Sequence, residues 1–193
     1  LGDDADEVAR IKTVAEEAAK GNASGEDLSK AIDDTKAEIA KLKAEGHTEE
    51  AEALEKVLAK LEETQEANQA KQDAADDAAR MEAAKAAQEE ADATAKEANK
   101  VAADLEAAGM KEEADKIKEM QAGLTSGDMS GADMEKQAQE AHDLAAKLRA
   151  EGKEDLAKEV EELANKMDEA AAKKLDADAK EADKAAHDAA NEA

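Results

Sequence analysis

The chain has no cysteine, proline, tryptophan, tyrosine or phenylalanine, and only nine of its 193 residues are glycine. Without cysteine there is no disulfide and no thiolate nucleophile, and the redox compartment leaves no trace. Without aromatic rings, any core must be built from aliphatic side chains and methyl groups. From Thr48 to Ala108 there is neither glycine nor proline, so nothing in that stretch obliges a helix to stop. No apolar run approaches the roughly 20 residues that span a bilayer, and no segment reads as a signal peptide. The first residue is Leu rather than Met, which fits a processed secreted chain or a trimmed one, and no location is assigned. Positive charge is also scarce: 27 Lys and Arg face 52 Asp and Glu, a net charge of -25. That balance repels nucleic acid and anionic lipid, so neither is an expected partner.

What is present is Ala, Glu, Lys and Asp. There are 52 Ala and only 28 large aliphatics (Leu, Ile, Val and Met), so the expected core is thin. Sparse aliphatics with high net charge also mark disordered chains. Against disorder stands the high content of Ala, Glu, Lys, Gln and Leu, which favour helix and disfavour strand. The expected fold is all-α.

Residues 3–20 predict a first helix, with Val8, Ile11, Val14, Ala15 and Ala18 at three and four residue spacing, stopped by Gly21. Ser24, with Asp27 three residues on, predicts an N-cap for a second helix over 26–45. That helix carries Leu28, Ile32, Thr35, Ile39 and Leu42, a narrow apolar seam of coiled-coil type. Gly46 ends it, and Thr48 with Glu49 and Glu50 opens a helix over 48–108 that ends at Gly109. Its large apolar residues lie near the two ends, Met81 alone between them, so a turn near 68–77 or 92–94 would divide it in two. Three helices follow: 111–122; 132–151 after a loop that contains Gly123, Gly127 and Gly131; and 154–193 after Gly152.

The chain repeats. Shifted by 106 residues it aligns with itself without a gap, Ile11 with Ile117, Gly21 with Gly127, Ser24 with Ser130, Leu42 with Leu148 and Gly46 with Gly152. The expected organisation is two copies of a helical unit, 1–106 and 107–193, in an antiparallel helical bundle or coiled coil. If 48–108 is straight, the molecule is elongated around a central helix about 90 Å long at 1.5 Å per residue. A compact up-down bundle is the alternative.

A period of this length with a long joining helix resembles the spectrin repeat. The chain departs from that family in having no aromatic core residue and in the glycines at 123, 127 and 131, where the family has one unbroken middle helix. The segment LKAEGHTEEAEALEKVLAKLEE, echoed in LRAEGKEDLAKEVEELANKMDE, resembles computationally designed helical hairpins. That resemblance implies a scaffold with no evolved ligand.

Candidate chemistry is sparse. A di-iron bundle needs Glu-x-x-His pairs, but Ala44, Gln139 and Lys184 stand three residues before His47, His142 and His187. Asp183 and His187 share a helical face suited at most to a loosely held divalent ion. The stretch from Asp176 and Asp178 resembles a calcium loop, yet Glu181 takes its glycine position and His187 its terminal glutamate position. GDMSGADME also lacks the calcium-loop register. No nucleophile and base pattern is found. Of the six Met, four fall near seams or loop anchors and read as core; Asn22-Ala23-Ser24 fits a glycosylation acceptor, although the cap role alone explains Ser24. No catalytic, cofactor-binding or metal-binding residue is therefore assigned, and no cofactor is expected. The expected function is a non-catalytic helical scaffold or structural protein. The alternatives are an interaction module pairing through the Ala-rich faces of 62–100 and 168–193, with self-association as one form, and a hydrophilic stress protectant. Ice binding is disfavoured because the Thr residues show no constant spacing.

Overall fold

The computed structural model describes residues 2–21 and 23–192. Among them there is no strand, and six helices follow in order: α1 Gly2–Ala19, α2 Gly25–Ala44, α3 Thr48–Ala107, α4 Lys111–Ser126, α5 Gly131–Ala150 and α6 Glu154–Glu192. The chain divides into two compact units, Leu1–Asp76 and Asp77–Ala193. The division falls inside α3, so residues 77–107 belong with α4, α5 and α6.

The helix ends are set locally. Gly46, Gly109 and Gly152 adopt φ of 83°, 80° and 81°. At each, the next amide reaches back past the helix end: His47 N–H to Leu42 at 2.8 Å, Met110 to Leu105 at 2.9 Å, Lys153 to Leu148 at 2.9 Å. Each glycine amide also bonds three residues back, which completes the Schellman arrangement and satisfies carbonyls the helix leaves open. At the other end of a helix, the Ser24 hydroxyl accepts from the Asp27 amide at 3.2 Å and the Ser130 hydroxyl from the Asp133 amide at 3.1 Å.

In the first unit the α2 seam is buried as its spacing predicts, Leu28, Ile32, Thr35, Ile39 and Leu42 all facing inward. Thr35 is fully buried, its hydroxyl donating to the Ala31 carbonyl at 2.6 Å, so the polar atom is satisfied within its own helix. One core cluster joins Ile11, Ile39, Leu42, Ala51 and Leu54; a second joins Ala18, Leu28, Ala31, Ile32 and Leu61. Val8, Val57 and Leu58 lie at their edges and are only partly buried.

In the second unit α3 and α6 run antiparallel. Their ion pairs follow in opposite order along the two helices: Glu97 with Lys166 at 3.5 Å, Glu90 with Lys173 at 3.0 Å, Arg80 with Glu181 at 2.7 Å and Asp77 with Lys184 at 3.7 Å. Between them Ala98, Val101, Ala102 and Leu105 of α3 join Val160, Leu163, Ala164 and Met167 of α6 in a core shared with α4 and α5. Alanine lets the backbones approach closely. The few larger side chains fill what remains.

Two expectations about helix ends meet the structure at α3 and α4. No turn occurs near 68–77 or 92–94; α3 is one helix. Gln69, Gln72 and Gln88 donate to Asp73, Asp76 and Asp92 at 2.9 Å, one helical turn on, which ties those polar side chains into the helix surface. The α4 helix is longer than its glycine suggests, running through Gly123 to Ser126. Leu124 explains the extension: it is 2% exposed and packs with Ala91, Ala95, Met134, Ala170 and Ala171. Burial of one leucine, about 1.5 to 3 kcal/mol, outweighs the roughly 1 kcal/mol penalty of a helical glycine.

Candidate functional site

The chain has three histidines, the side chains best suited to acid-base work. His47 is half-exposed at the turn between α2 and α3, with Nε2 3.9 Å from Glu45. It lines an open cleft of about 350 Å³ with Val8, Leu42 and Glu50. His187 is exposed near the end of α6, its Nε2 3.1 Å from the Asn191 amide nitrogen. Asp183, its partner in the sequence reading, is exposed four residues earlier on the same helix.

His142 is different. Its Nδ1 lies 2.9 Å from Glu161 and its Nε2 2.7 Å from Asp168, both on α6. Each ring nitrogen therefore faces a carboxylate. A neutral imidazole has one N–H and would set its lone pair against the other carboxylate, whereas the imidazolium donates to both. The hydrogen bond to Asp168 pulls the His142 pKa above its ordinary value of 6.5, partial burial works against it, and the bond to Glu161 adds to the rise. With both nitrogens occupied, His142 is poorly disposed as a proton-transfer base or a metal ligand. It clamps α5 to α6.

Glu113 and Glu159 are shifted in opposite directions. Glu113, at the start of α4, is held below the usual carboxylate range chiefly by its own backbone amide and, after the opposing effect of burial, by Lys147. Glu159 is pushed up, first by burial and then by the Asp104 carboxylate beside it. No nucleophile accompanies that pair. The residues of the suspected calcium loop, Asp176 to His187, lie wholly within α6, whose straight backbone cannot wrap an ion. Asp178 serves another purpose, accepting from the Gly131 amide at 2.9 Å and so capping the start of α5 from a different helix. GDMSGADME opens as a short loop and enters α5 at Gly131. Among the described residues no group of three or more His, Asp or Glu is disposed to hold a metal ion.

Met110, Met120, Met134 and Met167 are buried in the core, Met129 packs at its edge, and Met81 is 66% exposed. Asn22 of the glycosylation pattern lies outside the described residues. An open groove of about 420 Å³ between α4 and α5 is lined mainly by charged side chains, among them Lys116, Glu119, Glu140, Asp143 and Lys147. No described helix is long and apolar enough to cross a membrane. The chain matches no protein-family model, no curated protein and no solved structure.

Proposed function

We propose that the chain is a non-catalytic helical scaffold: two copies of one helical unit offset by 106 residues, forming antiparallel bundles held by alanine and sparse aliphatic ridges. One observation carries the reading. The five buried residues of a first-unit cluster, Ile11, Ile39, Leu42, Ala51 and Leu54, each have a counterpart 106 positions on. Those counterparts, Ile117, Ala145, Leu148, Ala157 and Val160, all lie together in the main cluster of the second unit. Cap geometry supports the same pairing, with Ser24 at φ -72°, ψ 164° and Ser130 at φ -70°, ψ 159°. Turns and seams this regular support the likeness to designed helical bundles, in which shape is the product.

What the core is made of supports the absence of catalysis. Its buried side chains are almost all apolar; of the three buried polar ones, Thr35, Glu38 and Thr94, both threonines donate to a carbonyl one turn back in their own helix. The test is a melting series with Mg²⁺, Ca²⁺, Zn²⁺ and nucleotides at matched ionic strength. The reading expects unchanged melting temperatures. A saturable rise with any one of them at equimolar ligand marks a specific site and overturns it.

A second reading, the interaction module, has its own observation in Val57 and Leu58. These large aliphatics sit on α3 beside the first-unit core and remain partly exposed, in contrast to the fully buried Leu163 and Ala164 at the matching positions of α6.

A further inference from the structure

We infer that the open face of the first unit is a docking site for an acidic amphipathic helix with the pattern Glu-Ala-x-x-Val-Ala-x-x-Leu-Glu. The inference rests on the two-copy reading above and asks what each copy does with the same surface. In the second unit that surface is covered. Ala114, Leu163 and Ala164 are fully buried in one cluster with Ala98, Val101, Ala102 and Leu105 of α3. At the rim Lys118 pairs with Glu106 and Lys166 with Glu97, so the covering segment, EANKVAADLE over 97–106, is gripped by apolar contact along its middle and by a lysine near each end.

The first unit presents an apolar face at the matching positions, and there it is only partly buried. Residues 106 positions earlier are Val8, Val57 and Leu58, all aliphatic and all partly buried. The two rim lysines recur as Lys12 and Lys60. Among the described residues neither forms an ion pair, whereas their counterparts both do. The cleft of about 350 Å³ at Val8, Leu42, His47 and Glu50 opens beside this face. At the position matching Glu50 the second unit has Leu156, which is partly buried and packs on the core.

An apolar stripe flanked by two cations that form no ion pair among the described residues selects its occupant by charge as well as by shape on so acidic a chain. The apolar positions fix the face of the incoming helix, and the lysines require carboxylates nine residues apart on its flanks. A second copy of the chain is not the source of choice, because its own 97–106 segment is already buried in its second unit.

The experiment is methyl NMR on the full chain titrated with a blocked synthetic peptide of residues 91–108. The expected result is saturable shifts at Val8, Val57 and Leu58. Lys12→Glu with Lys60→Glu should weaken binding roughly threefold or more, and a peptide carrying Glu97→Lys and Glu106→Lys should recover that loss. Leu58→Asp should abolish binding while the helical circular dichroism is retained. Absence of shifts in the parent chain, or charge reversal without effect on affinity, overturns the inference. So does the appearance of the same shifts when the chain alone is concentrated to a dimer, which would give the face to a second copy. Methyl contacts among Ile11, Leu42 and Leu54 in the peptide-free sample separate two failures. If they are present and the peptide does not bind, only the docking inference falls; if they are missing, the two-copy reading falls with it.

Discussion

At the scale of single residues, local surroundings set different demands on the same amino acid. A Cβ on Gly25 would meet nothing within 4 Å, while one on Gly131, its counterpart, would lie 2.7 Å from the Leu175 backbone nitrogen. Gly25→Ala should therefore stabilise by about 0.5 kcal/mol through the unfolded chain, and Gly131→Ala should destabilise by about 2 kcal/mol through overpacking. Urea melts of the two variants test the opposite signs. His142 makes a prediction in pH. Because its folded pKa is raised, its stabilisation is complete below the unfolded value near 6.5 and is lost as pH rises through the folded one. His142→Gln should cost about 1 kcal/mol at pH about 5.5 and much less at pH about 9, read from denaturant midpoints at the two pH values. Glu159 has the same sign for the opposite reason: its raised carboxyl is at ease protonated and is penalised once ionised. Glu159→Gln should raise the melting temperature at neutral pH, with the difference shrinking towards pH 4.

At the scale of elements, stability follows the buried stripes. Leu42 is 2% exposed at the end of the α2 seam, so Leu42→Asp buries an unpaired charge and should cost more than about 4 kcal/mol, visible as loss of helical circular dichroism. Within α3, the side chains from Gln65 to Asp76 are exposed, whereas Ala91, Ala95, Ala98, Val101 and Leu105 are buried. Amides over 65–76 should exchange at least roughly tenfold faster than those over 91–105, a difference of about 1.4 kcal/mol in local opening. Equal protection along the helix would contradict that.

Elements are also where the sequence was most legible. Gly46, Gly109 and Gly152 signalled their turns because a left-handed cap makes the same demand wherever it occurs, and the α2 seam was readable from its spacing. Gly123 misled because its cost is local while the gain that overrides it, burial of Leu124, comes from residues about 10 to 50 positions away. The clamp on His142 was hidden for the same kind of reason. Glu161 and Asp168 stand seven residues apart on α6, and only the register of α5 against α6 brings one to each ring nitrogen. The partly exposed edge at Val57 and Leu58 was not legible, because spacing reveals which face is apolar and not whether another helix covers it.

At the scale of the whole molecule, the net charge of -25 dominates. Carboxylate repulsion opposes every compact arrangement and is screened within about 10 Å at about 0.1 M salt. The melting temperature should therefore rise by several degrees from low to moderate NaCl, against the loss expected if exposed ion pairs were the main support.

The proposal that one helical unit is used twice is tested most directly by methyl nuclear Overhauser contacts in a chain labelled at Ala, Ile, Leu and Val. The account predicts one network joining Ile11, Ile39, Leu42, Ala51 and Leu54, and a matching network joining Ile117, Ala145, Leu148, Ala157 and Val160. A missing network, or contacts that link these residues in any other grouping, would contradict it.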